Sequence, residues 1–313
     1  MRQPSRAIIV TSCTNRKKNT GELLHLGNDT DVATAHELAK RWNDLLLGAQ
    51  HRIPAIDLYQ GRSFTEARLA AETANAQLFV ASAGHGVVRS DQLLPAYNLT
   101  VATAPDNFFL QSLTRLGASS ADWWHALTEL AIEPRSLSHL VSRLDLTGST
   151  VLVAMPSAYL AMLSKDLARL TDRQAARLRF FTSMFGINQL PVRLRPFALP
   201  YDERLESAPS YAGTRNDFAQ RALRHFVTEL DGHTLPLDIA HQRVADAMRK
   251  LKGRTLPARE KKTDAELEEL ILKNWGHLSY SQSAALRWLR DDQLISCEQQ
   301  RFRNLWHKVQ EGI

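Results

Sequence analysis

Short apolar runs rich in β-branched and aromatic residues recur through the first two thirds of the chain, at 7–12, 54–59, 77–82, 150–155, 178–182 and 192–199. Their length and composition predict buried strands. Between them, apolar residues recur with helical spacing at about 31–48, 63–75, 121–131, 157–170 and 215–229. Strands that alternate with helices predict right-handed crossovers and an α/β fold, a mostly parallel sheet flanked by helices. The mixed stretch 86–120 reads as loop plus a short helix, covering a site.

Beyond about residue 232 the strand pattern stops. Helical patterns follow at about 237–251, 264–274, 281–290 and 298–310, interrupted by a basic stretch with Pro and Gly near 253–262. This divides the chain into an α/β catalytic domain, 1–232, and a small basic helical domain, 233–313. The segment "SYSQSAALRWLRDDQLISCEQQRFRNLW" reads as two amphipathic helices with Ser281 and Ser296 as N-caps. A helix-turn-helix module has this pattern, and so does an accessory bundle.

Charge sharpens the second half more than the first. The chain has 39 basic and 33 acidic residues, a formal charge of +6, which favours a polyanionic partner. Between 249 and 262 only Glu260 opposes a run of cations. Arg249, Lys250, Lys252, Arg254, Lys261 and Lys262 are therefore either a solvated linker or contacts to a nucleic-acid backbone. The two cysteines, Cys13 and Cys297, lack metal-ligand spacing and lie far apart, so the expectation is a reduced cytoplasmic protein without a zinc site. The first residues lack a signal-peptide layout, and no apolar run is long enough to span a bilayer, so no membrane partner is expected.

In open α/β sheets, ligands bind beyond the carboxyl ends of the strands. The first strand spills abruptly into "TSCTNRKK", and the others end in "DLYQGRSF", "SAGHG", "PSAY", "FGIN" and "PYD". Small hydroxyls, glycines, aromatics and cations gather there, which suits a phosphate-bearing ligand with a planar ring. Ser12, Asn15, Arg16, Lys17, Arg62, Ser82, Ser157 and Tyr159 are candidate binding groups, and Tyr59, Phe64 and Tyr97 could stack a base. Core packing is the alternative for Tyr59 and Phe64, and a solvated turn for Lys17 and Lys18. His85, between Gly84 and Gly86, could donate to a ligand or shuttle a proton, or be a satisfied structural histidine. The fingerprints of P-loop hydrolases, α/β-hydrolase elbows, Rossmann dinucleotide sites and zincins are absent.

Four of these segments together resemble a family of phage and bacterial proteins of unknown function. That family pairs Cys-Ser-x-x-Lys-Lys with Asp-Leu-Tyr-x-x-x-x-Phe-x-x-x-Arg, then Ser-Ala-Lys-His-Gly-Leu and Pro-Tyr-Asp-x-Thr-Leu. Here they read "SCTNRKK" (12–18), "DLYQGRSFTEAR" (57–68), "SAGHGVV" (82–88) and "PAYNLTV" (95–101). Gly84 replaces the family's lysine, and Asn98 its aspartate. The family is similar in layout to the uracil-DNA-glycosylase-like fold, including the glycosylase-like part of archaeosine synthase. In size and fold alone the chain is also similar to the Brig-type antiphage DNA glycosylases, which remove modified cytosines.

The resemblance implies cleavage or exchange at the N-glycosidic bond of a flipped, modified base, with double-stranded DNA as partner and no metal or nucleotide cofactor. Such a reaction puts positive charge on the sugar and negative charge on the base, so it needs a group to hold water and donors on the base. Asp57 and Asn98 are the expected groups for the first task, His85 and Asn15 for the second. Asp57 could instead cap the helix that begins near Ser63 or pair with Arg68. A base-exchanging or nucleotide-processing transferase of deazaguanine metabolism is the rival enzyme, and a DNA-binding regulator the rival without catalysis.

Overall fold

The computed structural model describes residues 7–19, 21–27, 31–102, 107–131, 135–144, 149–253, 258–278 and 281–312. They form two compact units, Met1–Gly253 and Arg254–Ile313.

The first unit is built on a five-stranded sheet, as the α/β pattern predicts. Its strands are β1 (Ala7–Ser12), β2 (Gln77–Ser82), β3 (Gly86–Arg89), β4 (Thr150–Ala154) and β5 (Leu178–Phe181), in the spatial order β3-β2-β1-β4-β5. All neighbours are parallel except β3, which returns antiparallel to β2. β1 lies at the centre, with Ile9 in register with Leu78 on one side and Leu152 on the other. Every residue of β1 is buried, as a strand covered on both faces requires. The chain runs from β1 to one side and then crosses to β4 on the other, so the order reverses at the carboxyl ends of β1 and β4. Ligand crevices form at such a point.

Helices pack on this sheet in two groups. α1 (Ala35–Gly48), α3 (Ser120–Glu129) and α4 (Ser157–Met162) pack in succession, while α2 (Arg62–Ala74) lies along α5 (Phe218–Thr228). α1 starts at Thr34, whose hydroxyl accepts from the Glu37 N–H, and α3 at a Ser119–Asp122 capping box. α6 (Leu237–Lys250) buries Ala240, Val244 and Met248 in the same core. The division of the chain consequently falls at Gly253, whereas the sequence pattern placed it near residue 232.

Three elements differ from the pattern. The expected strand at 54–59 is only the pair Ile53–Pro54, matched antiparallel to Leu93–Leu94, followed by a helical turn over Ala55–Leu58. The expected strand at 192–199 is a 3-10 helix, Val192–Phe197, bounded by Pro191 and containing Pro196. Proline lacks the N–H that a sheet ladder needs. The stretch after residue 86 holds the unforeseen strand β3, and Gly86 makes its hairpin possible with φ near +75°. A Cβ there would also lie 2.7 Å from the Arg135 carbonyl oxygen.

The second unit has its own core, in which Leu267, Ile271, Leu289, Phe302 and Trp306 are buried. Its longer helices are α7 (Asp264–Lys273), α8 (Gln282–Asp291) and α9 (Gln299–Glu311), with a helical turn over Trp275–Leu278. Ser281 caps α8, its hydroxyl accepting from the Ala284 N–H. Ser296 does not cap α9. It lies in a short strand, Ile295–Ser296, paired with Glu260–Lys261, and Glu298 is the cap. Among the described residues no helix is long and apolar enough to cross a membrane.

Candidate functional site

β1, β2 and β4 deliver their carboxyl ends to one edge, and a buried polar cluster forms there. Cys13 follows β1 and stays 4% exposed because its N–H continues the ladder by donating to the Ala81 carbonyl, 3.0 Å away. The Cys13 thiol is 2.9 Å from the Tyr159 hydroxyl, which the first turn of α4 presents. At the end of β2, Ser82 Oγ accepts from the N–H groups of Gly84 (3.2 Å) and His85 (3.1 Å). Its own proton is left for Tyr97 Oη at 2.7 Å, and Tyr97 Oη lies 3.2 Å from Tyr59 Oη. Ser82, Tyr97 and Tyr59 thus form a chain of hydroxyls.

His85 packs edge-to-face against Tyr97 with ring centroids 4.9 Å apart. Its Nε2 is buried and without a hydrogen-bond partner. Burial depresses its pKa to about 3, aided by the cations Arg135, Lys17 and Arg52 and opposed by the Pro95 carbonyl. The imidazole is therefore neutral at physiological pH. Burial also raises the phenols of Tyr59, Tyr97 and Tyr159, and negative charge on Cys13 would add to the effect. These groups are kept as neutral donors and acceptors.

Lys17 enters from the segment after β1. That segment is strapped down by backbone hydrogen bonds, Lys18 N–H to Leu58, Gln60 N–H to Arg16, Leu24 N–H to Ala96 and Asn98 N–H to Leu24. The strap leaves Lys17 half-buried, with Nζ 4.1 Å from the centroid of the Tyr97 ring. Burial lowers its pKa, with Cys13 opposing. Among the described residues no carboxylate pairs with this ammonium.

Two tryptophans hold the turn that carries His85. Trp42 of α1 donates to the Gly84 carbonyl (2.6 Å), and Trp123 of α3 to that of Ala83 (2.8 Å). A Cβ on Gly84 would lie 2.8 Å from Tyr97 and 3.2 Å from Trp42. The aromatic packing therefore occupies the space that a side chain at position 84 would need. From the other helical group, Gln220 of α5 donates to Thr11 (3.1 Å), Ser12 (3.3 Å) and the Ala154 carbonyl (3.2 Å), tying β1 to β4 at the reversal point.

Of the residues expected from sequence, Lys17, Tyr59, Ser82, His85, Tyr97 and Tyr159 come together. Ser12 lies beside them, bound to Gln220, and Phe64 is buried against Tyr59 with centroids 5.7 Å apart. Asp57 and Asn98 are exposed and hydrogen-bond to none of the cluster among the described residues. Nor does Asp57 cap α2, whose N-cap is Gly61, while Arg68 pairs with Glu72. Asn15 and Arg16 are exposed and Ser157 half-buried at the start of α4. Arg62 is engaged elsewhere: it lies 3.3 Å from Glu66, 3.8 Å from Asp217, and donates to the Ala212 carbonyl. Proximity to a strand end was its only claim, and its charge is spent at the junction of α2 and α5. Cys13, Trp42, Trp123 and Gln220 were not singled out from sequence as site groups. Cys13 sits in the quoted first strand end and Gln220 is a polar residue in a helical pattern, whereas the two tryptophans left no signal.

The basic stretch divides between the two units. Arg249 pairs with Asp246, and Lys262 with Glu260. Lys250, Lys252 and Lys261 are exposed and form no ion pair among the described residues. Arg254 lies outside the described residues. Among the described residues no group of His, Cys, Asp and Glu could hold a metal ion. A surface cleft of about 390 Å³ opens elsewhere, lined by Arg68, Asn75, Gln77 and Arg89 at the amino end of β2.

A family model of unknown function, DUF6884, matches residues 48–108. The match takes in Tyr59, Phe64, Ser82, His85 and Tyr97, so it coincides with the β2 side of the cluster. Cys13, Lys17 and Tyr159 lie outside it. No curated protein and no solved structure matches the chain.

Proposed function

We propose that this chain acts on the N-glycosidic bond of a modified base flipped out of double-stranded DNA, in defence against phage. The observation that carries the reading is the convergence of Lys17, His85 and Tyr97 at the carboxyl edge of the sheet. A departing base takes negative charge, and a site ringed by cations with neutral hydroxyls suits that anion. Tyr59 and Tyr97 are buried, so a flipped base would stack on their rings only once the cluster opens. The likeness of the quoted motifs to a family with a glycosylase-like layout supports the same reaction. Exposed Lys250, Lys252 and Lys261 suit contact with a phosphate backbone.

The test is to incubate the purified protein with phage DNA that contains modified cytosines, without added metal or nucleotide. Sites that break in hot alkali, and a free base detected by mass spectrometry, are expected, with ordinary DNA spared. If a broad panel of modified DNAs and tRNAs yields neither, the reading is wrong. Two nucleophiles in one cluster, Cys13 and Lys17, favour base exchange as a second reading. That reaction would proceed only when a free base is supplied as co-substrate.

A further inference from the structure

The aromatic rings of the cluster are sealed. Tyr97 is 0% exposed, and the face of its ring is taken by the Lys17 ammonium, 4.1 Å from the centroid. A cation on a ring face is attracted to it, so this contact holds the strap to the cluster. The strap also pairs with Tyr59 at Lys17 and with Tyr97 at Leu24. Yet it is weakly seated. Between residues 14 and 27 no described residue is buried, and Leu23 is 47% exposed. Leu24 and Leu26 touch the core without being covered by it. Its other ties are the backbone hydrogen bonds to Leu58 and Gln60 at one end and to Ala96 and Asn98 at the other, and an exposed pair of Glu22 with His51, 3.6 Å apart. Segments with few buried apolar contacts open at a fraction of the free energy of global unfolding. Between the two ends Gly21 takes φ near +81°, and its N–H donates to the Asn19 side chain at 2.9 Å.

We propose that this strap, residues 14–19 and 21–27, is an autoinhibitory lid. It lifts while the sheet stays folded and draws the Lys17 ammonium off the Tyr97 ring, the face on which a planar ligand would lie. The layer beneath it does not depend on the strap. Cys13 is fixed by the ladder to Ala81, and the turn that carries His85 is fixed by Trp42 and Trp123. The motion stands on these contacts alone; that it admits a flipped base rests on the N-glycosidic reading.

Cys13, the last buried residue before the strap, reports the opening. The full-length protein is treated with N-ethylmaleimide at several urea concentrations below the unfolding transition, and Cys13 labelling is followed by peptide mass spectrometry. Amide hydrogen exchange is measured in parallel. The expected Cys13 rate hardly changes with urea, because a local opening exposes little surface. Amides of Lys18, Leu24, Gln60 and Asn98 should exchange faster than those of β1 by about tenfold or more. A Cβ on Gly21 meets no neighbour within 4 Å, so Gly21→Ala strains only the closed strap. It should raise the Cys13 rate about tenfold, the cost of a left-handed conformation for an L-residue. Lys17→Gln, which takes the ammonium off the ring, should raise it too. A Cys13 rate that climbs with urea in step with β1 exchange overturns the proposal, as does an unchanged rate in Gly21→Ala. No DNA enters this test. A strap that opens with no base released removes the N-glycosidic reading alone, and base release beneath a strap that stays shut removes the lid alone.

Discussion

The thiol of Cys13 and the hydroxyl of Tyr159 lie 2.9 Å apart across 146 positions of sequence, joining the end of the first strand to the helix that follows the fourth. Cys13 is 4% exposed, and Cys297 in the second unit 6%. Both are free thiols. A thiol reagent such as Ellman's should therefore label the native protein slowly and the unfolded protein at both cysteines. Rapid labelling of Cys13 in the native state would mean that the cluster opens readily.

His85 makes a prediction about pH. Its pKa is depressed in the fold to about 3 from the ordinary 6.5. Below pH 6.5 the unfolded chain binds a proton that the folded chain refuses, so this contribution is complete above that pH and is lost as the pH falls toward 3. The slope for one such group is up to ~1.4 kcal/mol per pH unit. Denaturant titrations of the parent and His85→Gln at several acidic pH values should show a shallower loss in the variant. Equal slopes would place the imidazole in water.

Gly84 stands where the resembled family has lysine, and its surroundings leave no room for one. Gly84→Ala should destabilise the protein by about 1–3 kcal/mol, because overpacking must displace Tyr97 or Trp42. Tryptophan fluorescence should shift along with the melting temperature. A neutral result would show that the ring of Tyr97 moves freely.

Arg221 anchors the segment 206–217 to the start of α5. It is fully buried, 2.7 Å from both Asp217 and Glu206, and donates to the carbonyls of Tyr211 and Thr214. Arg221→Met leaves Glu206 without its cation and Asp217 with only Arg62, 3.8 Å away, and breaking such a buried pair costs about 3–5 kcal/mol. Urea denaturation measures it. Arg221→Lys should recover only part of the loss, since a point charge cannot serve four acceptors set around a planar fork.

Lys250 and Lys252 test the polyanion reading. Their joint replacement by Gln should weaken duplex binding and lower the slope of log K against log salt by up to ~1.8, about 0.9 for each lost phosphate contact. An unchanged slope would make them solvated surface charges.

The sheet was legible where strands are mostly buried, because the runs at 7–12, 77–82, 150–155 and 178–182 carry no competing signal. The runs at 54–59 and 192–199 were equally apolar, but prolines inside or beside them remove ladder donors. β3 was hidden because it is four residues long and begins with the glycine that turns the chain. Strand ends located His85, Tyr97, Tyr159 and Lys17, since topology alone brings them to one edge. Asp57 and Arg62 were equally close to a predicted end, and sequence does not reveal which way a side chain points once a turn replaces a strand. Gln220 and the two tryptophans reach the site from helices more than thirty residues away from the strand ends they hold, a distance that local pattern cannot bridge.

The central place of β1 has a consequence for synthesis on the ribosome. This strand is made first, yet it gains its second neighbour only when β4 emerges, well over a hundred residues later. Until then a largely apolar ribbon has one unpaired edge, the kind of surface on which nascent chains associate wrongly. The same dependence means that an amino-terminal fragment ending before β4 cannot assemble the cluster, even if it retains every residue of the matched segment 48–108. The cluster, on this topology, arrives late and all at once.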